Sequence, residues 1–252
     1  MLYYETDRAA ISPTMNRPTK PRLKPTAPAS AGKEPRGARR RRETRDKLLD
    51  AAFQLMAMKG VDGVAINEIT ETADVGIGSF YNHFESKEAI YSAVLDLVFE
   101  EFGDAIDRLV SDVNDPAEVI AISVRHTLLR ARREPLWGRF LLREGLSARV
   151  LSRGLGVRLL RDIQKGVAKG RFKLVDPLMS FVTFGGGVLG TIAACVEIDG
   201  PRAAELARLG LHASDLPERA ASNLLFNLGI PPEEAKVIAQ RPLPVVHPSP
   251  TA

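Results

Sequence analysis

Apolar residues recur every three or four positions along most of the chain, which is the spacing of one buried face of an α-helix. The first stretch with this spacing begins after Thr44, a predicted N-cap, and closes at Gly60, a predicted C-cap. Shorter stretches follow over residues 66–73, 77–84 and 86–98, and Ser86 is placed to cap the last of them. No segment alternates apolar and polar residues over a sustained length, so we predict an all-α fold.

Proline marks the starts of the later helices, because its fixed φ suits the first turn and its missing amide hydrogen is not needed there. The dipeptides that carry this signal are Asp115-Pro116, Glu134-Pro135, Asp176-Pro177, Leu216-Pro217 and Pro231-Pro232. A further apolar repeat covers residues 156–169, and the helix from Pro177 is predicted to continue to about Ile198. The C-terminal part of the chain is therefore predicted to be a helical bundle, followed by a loose tail over residues 241–252.

Residues 1–42 differ from the rest of the chain in composition and charge. They contain six prolines, few apolar residues and the run Arg39–Arg42. Eleven Lys or Arg and three Asp or Glu give them a balance of +8, which against a total of +4 leaves −4 for the remainder. Such a segment buries too little surface to offset its chain entropy, so we predict a disordered basic arm. Its charge suits a polyanionic partner, either a nucleic acid or a membrane surface.

The segment from Ile66 to Lys87 has the pattern of a helix, a break of three residues, a second short helix and a new helix start. A turn this tight presents the second helix outward, across the first. Phe80 and Phe84 are candidates to anchor that helix. Glycine or short polar side chains fill most of its other positions, namely Gly78, Ser79, Tyr81, Asn82 and His83, before Lys87. This mixture suits the major groove of DNA, where base edges need close donors and acceptors and phosphates need cations and hydroxyls.

The same segment resembles the TetR family of transcriptional regulators. Phe80–Ala89 is similar to that family's recognition-helix signature, Leu48–Ala52 and Gly60–Gly63 to its first helix and loop, and Ile66–Val75 to its second helix and turn. Beyond residue 98 the resemblance is loose and rests on the helix pattern and on Gly170–Phe172. It implies a three-helix helix-turn-helix domain, predicted over residues 43–90, and a helical ligand-binding and dimerisation domain, predicted over residues 91–240.

The resemblance also implies roles for individual residues. Tyr81 is expected to contact a phosphate or a base edge, Lys87 to bind a phosphate, and His83 to touch the DNA backbone. The remaining positions expected to face DNA are Asn67, Ile77, Gly78, Ser79 and Asn82. The polar members of this set also fit ordinary surface residues. The chain departs from the family pattern at Val64-Ala65, Asp74 and Gly76, which leaves the starts of the second and third helices open.

The C-terminal half offers two further candidate sites. Aromatic residues on successive predicted helices fit either a core or the wall of an apolar ligand pocket, which the resemblance also suggests; they are Trp137, Phe140, Phe181 and Phe184. Small residues four positions apart give one helix a face that a second backbone can approach. That face and an apolar stripe on a later helix predict a homodimer interface, formed by Gly186, Gly190, Ala194, Leu224, Leu225 and Leu228.

Two other classes of protein, an enzyme and a non-specific DNA-binding protein, also fit parts of the sequence. Gly185–Gly190 matches the G-x-G-x-x-G pattern of dinucleotide-binding enzymes, but no strand precedes it, so the pattern argues little for an enzyme. The four histidines, His83, His126, His212 and His247, lack metal-ligand spacing, so neither a metal nor a cofactor is expected. A non-specific nucleoid protein held on DNA by the basic arm is the remaining alternative.

The chain has the features of a cytoplasmic protein. Cys195 is its single cysteine, so no intramolecular disulfide forms, and the N-terminus lacks the apolar core of a signal peptide. The longest apolar stretch, Phe181–Val196, is shorter than the roughly 20 residues of a membrane span, so no membrane partner is expected. We predict a sequence-specific repressor that binds a pseudo-palindromic double-stranded DNA operator as a homodimer and responds to an unknown small-molecule effector.

Overall fold

The computed structural model describes residues 35–147, 154–198, 203–209, 212 and 214–244. Within these ranges every regular element is helical, as the apolar spacing predicts, and no strand is present. The helices are α1 (Arg36–Lys59), α2 (Ile66–Thr72), α3 (Ile77–Tyr81), α4 (Lys87–Leu95), a π-helical turn (Asp96–Glu100), α5 (Glu101–Leu109), α6 (Pro116–Arg133), α7 (Pro135–Glu144), α8 (Leu155–Ala168), α9 (Pro177–Ile198), α10 (Ala203–Arg208), α11 (Leu216–Asn227) and α12 (Pro232–Ala239).

The first helix begins earlier than predicted. Residues 36–42 belong to α1 rather than to a disordered arm, and the remainder of that predicted arm lies outside the described residues. Arginine has a high helix propensity, and Pro35 directly precedes the first turn, so this segment can be helical without a buried face. Thr44 is consequently not an N-cap: it lies inside α1, where its hydroxyl donates to the carbonyl of Arg40 (3.0 Å).

Helices α1 to α4 form the N-terminal domain. The apolar face of α1 packs against α2 and α4, with Leu48 and Met56 fully buried. Asp74 turns the chain between α2 and α3 in the left-handed region (φ 54°), a conformation that Asp tolerates better than most residues. Ser86 caps α4 as predicted, since its hydroxyl accepts from the amide of Ala89 (3.2 Å).

Helix α6 is the centre of the C-terminal domain and packs against α7, α8, α9, α11 and α12. Helix α7 also packs against α1, which joins the two domains. An aromatic cluster fills this junction: the Phe140 ring lies 5.5 Å from that of Phe53 and 5.6 Å from that of Phe99, and Phe99 contacts Trp137. The domains therefore share one continuous apolar core.

A second connection runs through α4, the π-helical turn and α5, which form one unbroken helical segment from Lys87 to Leu109. The apolar pattern predicts a helix only to Val98 and gives no sign of the π-helical turn. In such a turn the hydrogen bonds skip one extra residue, and turns of this kind are often found at functional positions. This segment joins the C-terminal domain to the N-terminal one without a break in the helix.

Helix α9 spans the predicted residues and is largely exposed. Within the described residues its segment Pro177–Cys195 has a mean hydropathy of 1.7 over 19 residues, and 11% of that segment is buried. By length and composition alone this helix is apolar enough to cross a membrane, although a single helix of this kind is not a convincing membrane span.

The predicted loose tail is held at its start. Arg125 on α6 donates to the carbonyl of Arg241 (2.6 Å) and pairs with Glu218 (2.7 Å), while Arg241 pairs with Glu118. Arg125 is buried, so water cannot accept its hydrogen bonds and these protein groups do so instead. The contacts therefore hold the chain after α12 against α6. Residues 245–252 of the predicted tail lie outside the described residues.

Candidate functional site

Helix α3 is a short element anchored on one side only. Phe80 is fully buried, and Phe84, just after the helix, is buried beside it with the ring centroids 5.8 Å apart. The opposite side is open: Ile77 is 46% exposed and Tyr81 57% exposed. The sequence predicted a helix as far as Phe84, whereas the structure ends it at Tyr81 and continues with tight turns. Two aromatic anchors thus hold a helix whose outer side is free to meet a partner.

The other predicted DNA contacts lie around this helix. Gly78 and Asn82 on or beside α3 are exposed, as is Asn67 on α2, which packs against α3. No atom outside the local helix lies within 4 Å of a Cβ built at Gly78, so a partner's backbone can approach this point closely. Ser79 is half-buried.

His83 and Lys87 are half-buried and already have neighbours within the domain. Burial lowers the pKa of His83, and the guanidinium groups of Arg41 and Arg45 lower it further. The ammonium of Lys87 donates to the carbonyl of Val61 (3.2 Å) and keeps two hydrogens for another acceptor. Lys87 therefore ties the loop before α2 to the start of α4, a contact that the sequence did not indicate.

The starts of α2 and α3, which the sequence left open, are stabilised in different ways. At α2, where no capping hydroxyl is available, the Glu68 carboxylate accepts from the amide of Ala65 (3.1 Å). At α3 the N-cap is Gly76, which makes no side-chain hydrogen bond. Burial of Phe80 and Phe84, rather than capping, holds α3 in place.

The C-terminal domain contains a partly open cavity of about 120 Å³ between α5, α6, α7, α8 and α9. Apolar side chains form most of its wall, namely Ile106, Ile120, Val124, Leu141, Leu146, Leu155, Leu159, Phe181, Phe184, Val188 and Leu189. Its polar residues are Asp107, Ser123, Thr127, Arg158 and Asp162. An apolar chamber with a few polar groups on one side is the usual form of a small-molecule site.

An ion-pair network forms the polar side of this cavity. Arg158 donates to Asp107 (2.9 Å) and Glu100 (2.6 Å), and Arg161 donates to Asp107 (2.6 Å) and Asp162 (2.8 Å). Burial raises the pKa of Asp107, but hydrogen bonds from Arg161 and Arg158 outweigh it, so the net pKa lies below its usual value. The cavity therefore presents an ionised carboxylate beside a guanidinium.

The four predicted pocket aromatics separate into two pairs. Phe181 and Phe184 line the cavity. Trp137 and Phe140 lie instead in the aromatic cluster at the domain junction, because α7 directs both toward α1 and α5. Sequence reasoning missed Asp107, Arg158 and Asp162, because they lie on two different helices that only the fold brings together.

The residues predicted to form the dimer interface also lie in two different environments. Gly186 and Gly190 are exposed on α9 with no atom within 4 Å of an added Cβ, and Ala194 is half-buried. By contrast, three α11 leucines predicted at the interface are buried within the subunit, because α11 turns that face toward α6, α9 and α12; they are Leu224, Leu225 and Leu228. Larger apolar side chains accompany the glycines on the exposed surface of α9, namely Leu178, Met179 and Val182.

Comparison with known proteins assigns this arrangement to a family. Residues 48–94 match the model for bacterial regulatory proteins of the tetR family, and residues 115–241 match the model for the tetracyclin repressor-like C-terminal domain. The chain belongs to the TetR family of DNA-binding transcriptional regulators, as the sequence resemblance predicted. Its helix-turn-helix domain thus comprises α1 to α3, completed by α4.

Individual relatives agree with this assignment. The structure of RolR in complex with resorcinol is similar over 83% of this chain and all of that chain, with 36% sequence identity and a TM-score of 0.59. The transcriptional repressor NicS of Pseudomonas putida is 32% identical over 52% of this chain and 66% of its own length. An HTH-type transcriptional regulator of Mycobacterium tuberculosis is 31% identical over 42% of this chain and 52% of its own length. The alignments span about half to two thirds of the length of these curated relatives.

Proposed function

We propose that the protein is a homodimeric repressor that binds a pseudo-palindromic DNA operator and releases it when a small hydroxylated aromatic molecule enters the C-terminal cavity. The observation that carries the DNA-binding part is the one-sided anchoring of α3. Phe80 and Phe84 fix the helix, while Tyr81, Asn82 and the open surface at Gly78 are left to meet the major groove. NicS, a transcriptional repressor by name, supports repression.

The dimer is proposed to form through α9. An exposed apolar side of a long helix, with close approach possible at Gly186 and Gly190, suits packing against its own copy about a two-fold axis. Phe226 on α11, a helix that packs against α9, is also exposed (55%). Two copies of α3 must then sit about one DNA turn apart, roughly 34–36 Å. In this dimer the α9 helix of the second subunit, rather than a membrane, covers the apolar side of α9 in a cytoplasmic protein.

The effector class is inferred from the cavity. A cavity of about 120 Å³ is comparable to the roughly 150 Å³ of an engineered cavity that binds benzene, so a single aromatic ring fits. Phe184 and its apolar neighbours suit the ring, and Asp107 and Arg158 suit hydroxyl groups as acceptor and donor. Resorcinol, which the RolR structure contains, is a molecule of this class. The cavity groups pair with one another as ion pairs, which favours recognition over catalysis, and no cofactor is required.

Selection of bound sequences from a random DNA pool tests the first half of this proposal. We expect one palindromic motif, bound about 10³-fold or more tightly than random DNA. Enrichment without a motif would favour the non-specific nucleoid alternative.

Titration of dihydroxybenzenes into the operator complex tests the second half. We expect operator affinity to fall in the wild type and to change little in Asp107→Asn, which keeps the side-chain shape but loses the carboxylate charge. An equal response of Asp107→Asn and wild type would place the effector elsewhere.

A further inference from the structure

The π-helical turn Asp96–Glu100 separates two helices with different surroundings. Helix α4 before it packs against α1 in the DNA-binding domain, and α5 after it lines the cavity. Each hydrogen bond in a π-helix spans one residue more than in an α-helix, so the turn accommodates one extra residue. One residue corresponds to a rotation of about 100° in an α-helix. The turn therefore sets how α5 is rotated relative to α4, and a return to α-helical geometry would change that angle.

Buried side chains hold the turn on its apolar side. Val98 and Phe99 are buried, and the Phe99 ring stacks on that of Phe140 in α7, with 5.6 Å between the centroids. The indole Nε1 of Trp137, also in α7, donates to the backbone carbonyl of Val98 (3.3 Å). A buried carbonyl without a donor costs free energy, so this bond favours a backbone that presents the Val98 carbonyl to α7. Trp137 thus contacts the backbone of the turn itself.

An ion pair holds the turn on its polar side. Glu100, the last residue of the turn, accepts from the Arg158 guanidinium (2.6 Å) and from the backbone amide of Gly154 (2.7 Å), just before α8. Gly103 makes room for this pair, because a Cβ there would lie 2.6 Å from the guanidinium carbon of Arg158. Arg158 therefore lies directly against α5 and reaches back to the turn.

Arg158 also lines the cavity, where it is proposed to donate to a hydroxyl group of the effector. A guanidinium has five N–H groups. In the described part of the chain four groups already accept from this one, namely the carboxylates of Glu100, Asp104 and Asp107 and the carbonyl of Gly154. A ligand that takes a hydrogen bond from Arg158 therefore competes with these acceptors. Loss of the bond to Glu100 would remove the polar support of the turn.

We propose that the π-helical turn is the joint through which the effector changes the orientation of the DNA-binding domain. Without effector, Arg158 and Trp137 hold the turn from two sides. Effector binding draws Arg158 away from Glu100, and the released turn lets α4 rotate relative to α5. This inference rests on the proposed effector binding and names the element that the bound effector alters. A ligand shifts such an equilibrium only by binding its two states unequally, and competition for Arg158 supplies that difference.

Two carboxylate variants test the role of the turn. Glu100→Gln removes the ion pair at the turn and keeps an oxygen for the Gly154 amide. Asp104→Asn is the matched control, because it removes another carboxylate that pairs with Arg158 but lies on α5, outside the turn. In Glu100→Gln the turn is already released, so we expect a dihydroxybenzene to bind the DNA-free protein roughly tenfold more tightly, the scale of one charge-assisted hydrogen bond.

Operator affinity gives the second measurement on the same variants. Glu100→Gln should bind the operator more weakly than the wild type without effector and about equally at saturating effector, so the ratio of the two affinities falls toward one. Asp104→Asn should keep a ratio close to that of the wild type. A wild-type ratio in Glu100→Gln, or an equal fall in both variants, would overturn the inference. Far-ultraviolet circular dichroism checks that both variants keep the wild-type helix content.

Trp137 reports on the turn without DNA. It is the single tryptophan of the chain, so protein labelled with 5-fluorotryptophan gives one fluorine resonance, from the indole that contacts Val98. We expect saturating dihydroxybenzene to shift this resonance in the wild type, and Glu100→Gln to shift it in the same direction without effector, unlike Asp104→Asn. An unshifted resonance in Glu100→Gln would overturn the inference. If no dihydroxybenzene changes operator binding by the wild type, the proposed effector class fails, while the resonance of effector-free Glu100→Gln still tests the turn.

Discussion

The guanidinium of Arg143, near the end of α7, donates a 2.9 Å hydrogen bond to the backbone carbonyl of Met58 in the last turn of α1. The next residue, Glu144, accepts a hydrogen bond from the hydroxyl of Tyr91 on α4. The two residues after that, Gly145 and Leu146, line the cavity. Four consecutive residues thus connect the cavity wall to two helices of the DNA-binding domain, and we expect a ligand that displaces Leu146 to displace both helices.

Tyr91→Phe tests this connection. The substitution removes the hydroxyl that reaches Glu144 and keeps the buried ring, so we expect operator affinity without effector to stay close to wild type. The effector-induced loss of affinity should shrink, because coupling between sites of this kind is typically about 1–3 kcal/mol and one of its contacts is gone. Operator affinity measured with and without a saturating dihydroxybenzene gives the coupling. An unchanged ratio would show that the contact between Tyr91 and Glu144 does not carry the signal.

Gly190→Trp tests the proposed dimer. A Cβ at Gly190 meets no atom within 4 Å, so the subunit should fold normally while the indole blocks the approach of a second α9. We expect a folded monomer in sedimentation and a loss of operator binding. Gly187→Trp is the matched control, because a Cβ there lies 2.7 Å from Leu224 inside the subunit and should destabilise the fold itself. A dimeric Gly190→Trp would move the interface to another surface.

Lys87→Ala separates two roles of one side chain. Loss of the bond to the Val61 carbonyl should lower the free energy of unfolding by about 1 kcal/mol, the usual size of such a hydrogen bond. If Lys87 also binds a phosphate, the salt dependence of operator binding should flatten by about 0.9 in each subunit. Thermal unfolding and salt titration measure the two effects independently. A stability loss with an unchanged salt slope would assign Lys87 to the fold alone.

Stability should fall in mild acid because of His126. Burial lowers its pKa and outweighs a hydrogen bond with the backbone of Pro244 that raises it, while Arg125 and Arg133 lower it further. The buried Nε2 has no hydrogen-bond partner in the part of the chain described. The unfolded chain therefore binds a proton at about pH 6.5 while the folded chain does not, so folding weakens as the pH drops below that value. His126→Gln should flatten the pH dependence of the unfolding free energy between pH 7 and 5. Identical slopes for variant and wild type would contradict the assignment.

The sequence predicted the positions of the helices better than it predicted which side of each helix is buried and which residues form the sites. Helix α9 was expected from Pro177 to about Ile198 and spans those residues, because proline and apolar spacing are local signals. The side of α11 that meets its own subunit could not be read from spacing, since Leu224 fits an intramolecular or an intersubunit contact equally well. The polar side of the cavity was missed for a related reason. Asp107 and Arg158 lie on different helices, and only the tertiary fold brings them together.

In the proposed dimer, the exposed apolar side of α9 makes operator occupancy depend on the concentration of the protein. The surface through which the subunits associate is exposed to solvent in the monomer, so both monomer and dimer are present. At low expression the dimer concentration then rises with the square of the total subunit concentration. Operator occupancy would then switch on steeply as the protein accumulates, even without cooperative DNA contacts. A change as small as Val182→Asp, by weakening association, would shift the expression level at which the target genes are silenced.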